Sequence, residues 1–320
     1  MKPYYIESNG VLSKKDESLT LKNREGEFEI PLNDVEAIGV SGNVTITKPA
    51  IQLLSKSAVP TFILSSSGRY VSSILPENYL ISGKVRIAQF VRYLDIKSRM
   101  QLAKAFVIGA ARNYNIVLRR HGIPRRINIS YEEIGQANTI PALMGIEGNI
   151  VDSYFDALDQ ILPEQFKIGN RTRRPPLSHG NALISFVNAL IYSTVASEIF
   201  CTHLDPTVSF LHDPSSARTS LALDVSEIFK PIFGHSVAIS MIRRREIKAD
   251  SHFVTANGVF LNEAGRRMVL KRFSEELQKT VYSKGLARYV SNKHLIRLEL
   301  YKIERFIMDG ASYKPYVPRR

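Results

Sequence analysis

The chain has 320 residues, with 43 Lys and Arg against 30 Asp and Glu, a formal net charge of +13. Its 44% apolar and 23% charged residues are typical of a globular protein and exclude disorder as the dominant state. Cys201, the single cysteine, excludes an intrachain disulfide and a multi-thiolate zinc site, and the first residues lack the apolar run of a signal peptide. We therefore expect a cytoplasmic protein with no membrane segment and a polyanion as partner.

The positive charge is confined to one part of the chain. Residues 1–83 hold 8 basic and 9 acidic side chains, whereas residues 84–320 hold 35 basic and 21 acidic ones. This asymmetry predicts two domains, of which the second meets the polyanion. The alternative is a basic surface that is merely solvated.

The first 80 residues contain short β-rich runs separated by turn sequences such as Ser8-Asn9-Gly10 and Ser66-Ser67-Gly68. The runs predict strands near 3–6, 11–14, 18–22, 27–31, 37–40, 60–65 and 69–74. A proline followed by apolar residues at helical spacing predicts one short helix over residues 49–56. No catalytic constellation is visible here, so we expect this region to be a scaffold or dimer interface.

From Gly83 onward the apolar residues recur with a helical period. Val85, Val91, Ile96 and their successors predict one long amphipathic helix that ends near Arg120. Further helices are predicted at 130–137, 140–161, 179–200, 219–230, 236–247, 262–283 and 290–308. The sequence thus predicts an α+β protein, with a small β-rich domain over residues 1–83 followed by a larger all-α domain over residues 84–320.

Two glycines flank a carboxylate inside one predicted helix, in Met144-Gly145-Ile146-Glu147-Gly148. Each interior glycine costs a helix roughly 0.8–1 kcal/mol relative to alanine. The absence of side chains beside Glu147 would let a backbone, a metal or a phosphate approach it closely. The alternative is a helix break with an exposed glutamate.

A second cluster joins His212 to an acid pair, Asp224 and Glu227, that lies on one face of a predicted helix. With Glu147, these residues could form a mixed oxygen and nitrogen site that suits magnesium or manganese. Spacing alone is equally compatible with a capping histidine and a solvated acidic face.

Arginines supply the third feature, because guanidinium groups match phosphate oxygens. Phosphate contacts position a nucleic acid without reading its sequence. The candidate DNA-binding residues are Arg171, Arg173, Arg174, Arg218, Arg243, Arg244 and Arg245.

A competing constellation is His294-Leu295-Ile296-Arg297, which resembles the His-x-x-Arg element of tyrosine recombinases. Tyr301 and Tyr313 would be its candidate nucleophiles. Helical periodicity explains the position of Tyr301 equally well. A third hypothesis, which rests on the charge alone, is a non-catalytic nucleic-acid-binding scaffold.

Six segments in a fixed order resemble the CRISPR-associated endonuclease and integrase of spacer acquisition, the Cas-one family, across nearly the whole chain. The matching segments are Met144 to Gly148, Arg171 to Pro176, Asn181 to Phe186, Thr202 to Pro206, Phe210 to His212 and Leu223 to Pro231.

The resemblance implies a metal-dependent phosphodiester hydrolase and transesterase of antiviral defence. Glu147, His212 and Glu227 would hold Mg²⁺ or Mn²⁺, and Asp224 would support them. The implied substrates are captured DNA fragments (protospacers), the CRISPR repeat and branched DNA. The family also implies a homodimer formed mainly through the N-terminal β domain, and a small adaptation partner, Cas-two, that joins two such dimers.

Overall fold

The computed structural model describes residues 2–65, 70–77, 82–123, 127–215, 219–283 and 285–318. The chain divides into two compact units, Met1–Ile81 and Ser82–Arg320. The predicted β-rich and helical regions are both confirmed.

The first unit contains eight strands and one helix. The strands are β1 (Lys2–Ile6), β2 (Gly10–Lys15), β3 (Ser18–Asn23), β4 (Gly26–Pro31), β5 (Val35–Val40), β6 (Val44–Ile46), β7 (Thr61–Leu64) and β8 (Tyr70–Ile74), with a 3-10 turn at Leu32–Asp34 and helix α1 (Lys48–Lys56). All seven predicted strands have counterparts here, although the turn at residues 66–68 lies outside the described residues. The three-residue strand β6 was not predicted, because it is too short to show a period of two.

These strands form two four-stranded sheets, in the orders β1-β5-β7-β8 and β4-β3-β2-β6. Strands β2, β3 and β4 make an antiparallel meander, and β6 extends it by pairing parallel to β2. In that meander Leu12 faces Leu21, and Leu19 faces Ile30. All four side chains are buried, so the alternating apolar pattern sets the register.

The second unit is mainly helical. Its helices are α2 (Gly83–Leu94), α3 (Ile96–Arg120), α4 (Tyr131–Gln136), α5 (Ile140–Asp159), α6 (His179–Ile199), α7 (Ser220–Phe229), α8 (Ser236–Arg243), α9 (Ala249–His252), α10 (Glu263–Gln278) and α11 (Asn292–Asp309), with a 3-10 turn at Glu164–Phe166 and a π-helical segment at Lys230–His235. Its core is built around α3, α6 and α7. Helix α6 is long and apolar enough to cross a membrane by composition, but 78% of its apolar window is buried inside the protein.

The sequence predicts a single long helix after Gly83, and this prediction is wrong in one respect: the segment forms two helices. Asp95 ends α2 and begins α3 with an extended backbone, and its carboxylate accepts a hydrogen bond from Ser98 N–H at 3.1 Å. Val91 and Ile96, assigned to the buried face, are 59% and 55% exposed. The apolar spacing continues across Asp95 in the sequence, but the two separate helices do not share one buried face.

The second domain is helical, as predicted, except at two short hairpins that were not predicted from the sequence. Two antiparallel hairpins interrupt the helices: β9 (Phe253–Ala256) with β10 (Gly258–Leu261), and β11 (Thr280–Ser283) with β12 (Arg288–Ser291). Strand β11 occupies the end of the helix predicted over 262–283, since its β-branched and aromatic residues favour an extended pair. Neither hairpin supplies a residue of the candidate metal site.

Candidate metal and nucleic-acid site

Asp224 organises the segment that carries His212. Its Oδ2 accepts hydrogen bonds from Phe210 N–H and Leu211 N–H at 2.6 and 3.0 Å. Its Oδ1 accepts from His212 N–H at 2.8 Å and from the imidazole Nδ1–H at 2.9 Å. Asp224 is fully buried and both oxygens are occupied. The carboxylate therefore places the imidazole instead of facing a ligand itself.

Because Nδ1 carries the proton donated to Asp224, His212 presents Nε2 to the opposite side. Glu227 lies there, one helical turn after Asp224 on α7, with its Oε1 3.9 Å from Nε2. The same oxygen accepts a hydrogen bond from Lys230 Nζ. Glu227 is only 6% exposed, so a buried carboxylate, an imidazole nitrogen and an ammonium group meet at this point.

Glu147 lies on α5, close enough for the charges of Glu227, Lys230 and His212 to shift its pKa, and α5 runs unbroken through both flanking glycines. A Cβ built at Gly145 or at Gly148 would meet no atom within 4 Å. The alternative of a helix break is therefore absent, and there is open space at the Cβ position of both glycines. The two glycines therefore leave room on α5 for the approach of a group from outside this chain.

The electrostatics of the three ligand candidates are coupled. Burial, followed by the charge of Glu227, raises the pKa of Glu147 to about 7. Burial would also raise the pKa of Glu227, but the charges of Lys230 and His212 outweigh it and hold that pKa below its ordinary value. Burial would lower the pKa of His212, and the hydrogen bond and charge of Asp224 reverse this and raise it. The site thus favours an additional positive charge.

The loop and helix that carry these residues are held by contacts that sequence reasoning missed. Gln89 of α2 is fully buried, and its Nε2 donates to the carbonyls of Asp205 and Val208 at 3.0 and 2.9 Å. These bonds fasten the chain just before His212. A buried glutamine in a helix that otherwise looks amphipathic is the only signal of this role.

Helix α7 has a second anchor at its C-terminal end. Asn113 of α3 is fully buried, and its Nδ2 donates to Ile228 O at 2.8 Å and to Tyr316 O at 3.0 Å. The Tyr316 ring stacks on Phe229, with centroids 6.0 Å apart. The segment around Tyr316 thus packs directly under the turn that follows Glu227. No spacing in the sequence indicates these contacts, because their partners lie far apart in the chain.

The arginines named from the sequence fall into different environments. Arg173 and Arg174 are exposed, and the positive charge of Arg173 makes a small contribution that lowers the pKa of both Glu147 and Glu227. Arg171 is partly buried and donates to Asn181 Oδ1 and Ser185 Oγ at 2.8 and 3.0 Å. Its guanidinium therefore has internal partners, and a DNA contact for it stays a prediction.

The second arginine group, residues 243–245, is exposed at the end of α8. Arg243 donates to His121 O at 2.7 Å. Arg244 lies 3.9 Å from Glu246. Arg218 lies outside the described residues.

The competing tyrosine constellation is not assembled. Arg297 Nε donates to the buried Glu198 at 2.7 Å. Tyr313 is 7% exposed and donates its hydroxyl to Glu299. Tyr301 is 38% exposed, but the Arg297 beside it is engaged with Glu198. A buried phenol cannot reach a DNA phosphate without rearrangement, so the structure offers no support for a tyrosine nucleophile.

Within the described ranges, no group of three or more His, Cys, Asp or Glu side chains is closely enough arranged to hold a metal ion as it stands. Lys230 Nζ already contacts the Glu227 oxygen that would be a ligand. The donor types are nevertheless those that suit a divalent cation such as Mg²⁺ or Mn²⁺, with two carboxylates and the Nε2 of an imidazole around a site that favours positive charge.

Comparison with known proteins places these features in a family. The profile described as CRISPR associated protein Cas1 matches residues 4–275. "CRISPR-associated endonuclease Cas1" of Methanothermobacter thermautotrophicus is 41% identical over 316 residues, covering 99% of this chain and 95% of that protein. The protein of the same description from Pyrococcus horikoshii is 37% identical, and the match covers 99% of this chain and 98% of that protein.

Solved structures agree. The Cas1 protein of Thermotoga maritima superposes with a TM-score of 0.87 at 32% identity, covering 99% of this chain and 100% of its own. A casposase bound to integration product has the same fold, with a TM-score of 0.84 at 20% identity; the match covers 100% of this chain and 96% of the casposase chain. With the profile, the full-length relatives and the fold in agreement, the chain belongs to the CRISPR-associated Cas1 family.

Proposed function

We propose that this protein is a divalent-metal-dependent DNA endonuclease and integrase of CRISPR adaptation. In the integration reaction, the 3′-hydroxyl of a captured DNA fragment attacks a phosphodiester of the repeat, and the 3′-oxygen of the repeat strand leaves. Water in place of the hydroxyl gives endonuclease cleavage. Family membership and the names of the archaeal relatives support the endonuclease activity.

The observation that carries the proposal is the orientation of His212. Asp224 fixes the proton on Nδ1, so the imidazole nitrogen that can bind a cation faces Glu227. The raised pKa of Glu147 shows that burial and the neighbouring Glu227 charge leave its ionised form under-compensated in the metal-free protein. The buried carboxylate of Glu227, the partly buried carboxylate of Glu147 and the imidazole of His212 are donors that suit Mg²⁺ or Mn²⁺.

In this proposal Glu147, His212 and Glu227 hold the cation, and Asp224 holds His212 in the tautomer that can bind it. When bound, the cation would stabilise the charge that develops on the phosphoryl oxygens and the leaving 3′-oxygen. Lys230, whose ammonium group contacts Glu227 in the metal-free protein, would then be available to bind the phosphate. Arg173, exposed at the edge of the site, positions the DNA strand for in-line attack.

The proposed partners are DNA, a second copy of the chain and Cas2. One structure with this fold is described as a Cas6-RT-Cas1–Cas2 complex, with a TM-score of 0.81 at 20% identity, of which this chain covers 36%. Another is described as a TtCas1–DNA complex. We further propose that residues 1–83 form the homodimer interface, which sedimentation of the wild type and interface variants would test.

Single substitutions test the site. Glu147→Ala, His212→Ala and Glu227→Ala should each abolish cleavage of branched DNA and strand transfer, while DNA binding persists because the basic residues remain. Asp152→Asn, an exposed acid on the same helix as Glu147, is the matched control and should retain activity. EDTA should stop the wild-type reaction and Mn²⁺ should restore it. Wild-type turnover in EDTA, or in any of the three variants, would refute the assignment.

A further inference from the structure

A cavity of about 270 Å³ opens between the end of α3, the outer face of α8 and helix α10. It is lined by two serine hydroxyl groups and four basic side chains: Ser236, Ser240, Arg120, Arg244, Arg272 and Lys279. Glu275 and Glu276 also line it. None of these residues belongs to the candidate metal site.

Two of the four basic side chains have strong acidic partners. Arg272 donates to both oxygens of Glu246, at 2.8 and 2.6 Å, and to Glu275 at 2.9 Å. Lys279 donates to Glu276 at 2.6 Å. The acids at the cavity are therefore already occupied by these cations.

The other two cations have no acid within hydrogen-bond distance among the residues that the structure describes. Arg244 lies 3.9 Å from Glu246, whose oxygens already accept hydrogen bonds from Arg272. The side chain of Arg244 is 66% exposed. Arg120 is exposed and has no acidic partner among the residues that the structure describes. Both guanidinium groups can turn toward the cavity, where the serine hydroxyls supply further hydrogen bonds. Positive charge with uncommitted donors at a concave surface is the chemistry that binds a tetrahedral oxyanion.

His121 lies beside this cavity, next to the lining residue Ser236. Its Nε2 lies 3.4 Å from Ser236 Oγ, and its carbonyl accepts from Arg243. Burial first, and then the charges of Arg243 and Arg120, lower the pKa of this imidazole to about 4. The positive charge of Arg120, which lines the cavity, therefore acts on this imidazole.

We infer that this cavity binds one phosphate group, and, resting on the proposed function, that the group is a phosphodiester of the DNA backbone. Arg120 and Arg244 bind the oxygens, and Ser236 and Ser240 complete the coordination. The contact fixes the path of the DNA over α8 without reading its sequence.

The test removes the positive charges of Arg120 and Arg244 together. The variant Arg120→Gln/Arg244→Gln is compared with Arg24→Gln/Lys56→Gln, which loses the same charge from exposed positions of the first unit. Affinity for a short duplex is measured against salt concentration. For the cavity variant, the slope of log affinity against log salt should fall by about 0.9 for the one lost phosphate contact, whereas the control keeps the wild-type slope. Equal slopes for the wild type and the cavity variant would overturn the proposal.

The histidine gives a second readout and distinguishes the source of the phosphate. In the wild type, the NMR titration of His121 should shift to higher pH when the duplex is added, because a bound anion favours the imidazolium form. A shift with inorganic phosphate but not with duplex would overturn the DNA assignment, and no shift with either would overturn the site. Comparing DNA cleavage by the wild type and by Glu147→Ala in Mn²⁺ tests the proposed function separately, because Glu147 does not line the cavity.

Discussion

Replacing Glu147 by Gln should stabilise the metal-free protein, and increasingly so as the pH rises. An acid with a raised pKa in the folded state contributes stability below its unfolded pKa, near 4.5, and loses it as the pH rises toward the folded value of about 7. One pKa unit corresponds to about 1.4 kcal/mol, so ionised Glu147 destabilises the folded state by about 3 kcal/mol at pH 8 and by about 1 kcal/mol at pH 5.

The assay is urea unfolding followed by circular dichroism in excess EDTA, for wild type and Glu147→Gln. The stability advantage of the variant should be about 2 kcal/mol larger at pH 8 than at pH 5. Taking this difference cancels contributions of the amide that do not depend on pH. Asp152→Asn, on the exposed face of the same helix, should show almost no pH-dependent difference from wild type.

Adding Mn²⁺ at pH 8 should reverse part of this difference. An ion that binds only the folded state stabilises it by about 2.7 kcal/mol when its concentration is 100 times the dissociation constant. Wild type should gain this stability, and Glu147→Gln should gain much less because it lacks one ligand. A stability difference that does not change with pH would refute the electrostatic reasoning, and equal stabilisation of both proteins by Mn²⁺ would refute the role of Glu147 as a ligand.

Other substitutions test separate parts of the structure. Gly148→Ala should stabilise the protein by up to about 1 kcal/mol, because the helix gains a better former and the new Cβ meets open space, yet strand transfer should fall if the substrate approaches there; unchanged activity would contradict that approach. Tyr313→Phe should lower stability by about 1–3 kcal/mol, since Glu299 loses a buried donor, but cleavage should continue, whereas its complete loss in a folded variant would revive the tyrosine nucleophile. Tyr316→Ala should lower kcat more than DNA affinity, because the stacking on Phe229 is lost while the basic surface is intact, and equal losses in both would refute a positioning role.

Local patterns were sufficient for most elements. The short strands of the first unit and helices α5, α6, α7 and α11 follow from alternating or helical apolar spacing, and their ends follow from residues such as Ser178, which caps α6 by accepting from Asn181 N–H. The break at Asp95 was missed because the apolar period continues across it. The two hairpins were missed because short strands give few repeats.

The candidate site was predictable in its members but not in their roles. Spacing alone could not rank Asp224 against Glu227, since both lie on one helical face. The structure separates them: both oxygens of Asp224 accept hydrogen bonds from the Phe210–His212 segment, whereas Glu227 faces the imidazole Nε2. Gln89 and Asn113 could not have been identified, because their function depends on backbone carbonyls that only the folded chain brings near.

The anchoring of α7 by Asn113 and Tyr316 bears on the order in which the protein acquires its activity. Asn113 precedes its partner Ile228 by 115 positions, and it is 203 positions from Tyr316. Contacts between such distant segments form late in folding, since a long loop must close before they contribute. A nascent chain that has emerged only as far as α7 already contains Glu147, His212 and Glu227, but it lacks the segment that packs under their helix. During synthesis, the candidate metal site therefore acquires the packing under α7 only after the residues around Tyr316 have been made, so any activity that depends on this packing starts after the helical unit is formed.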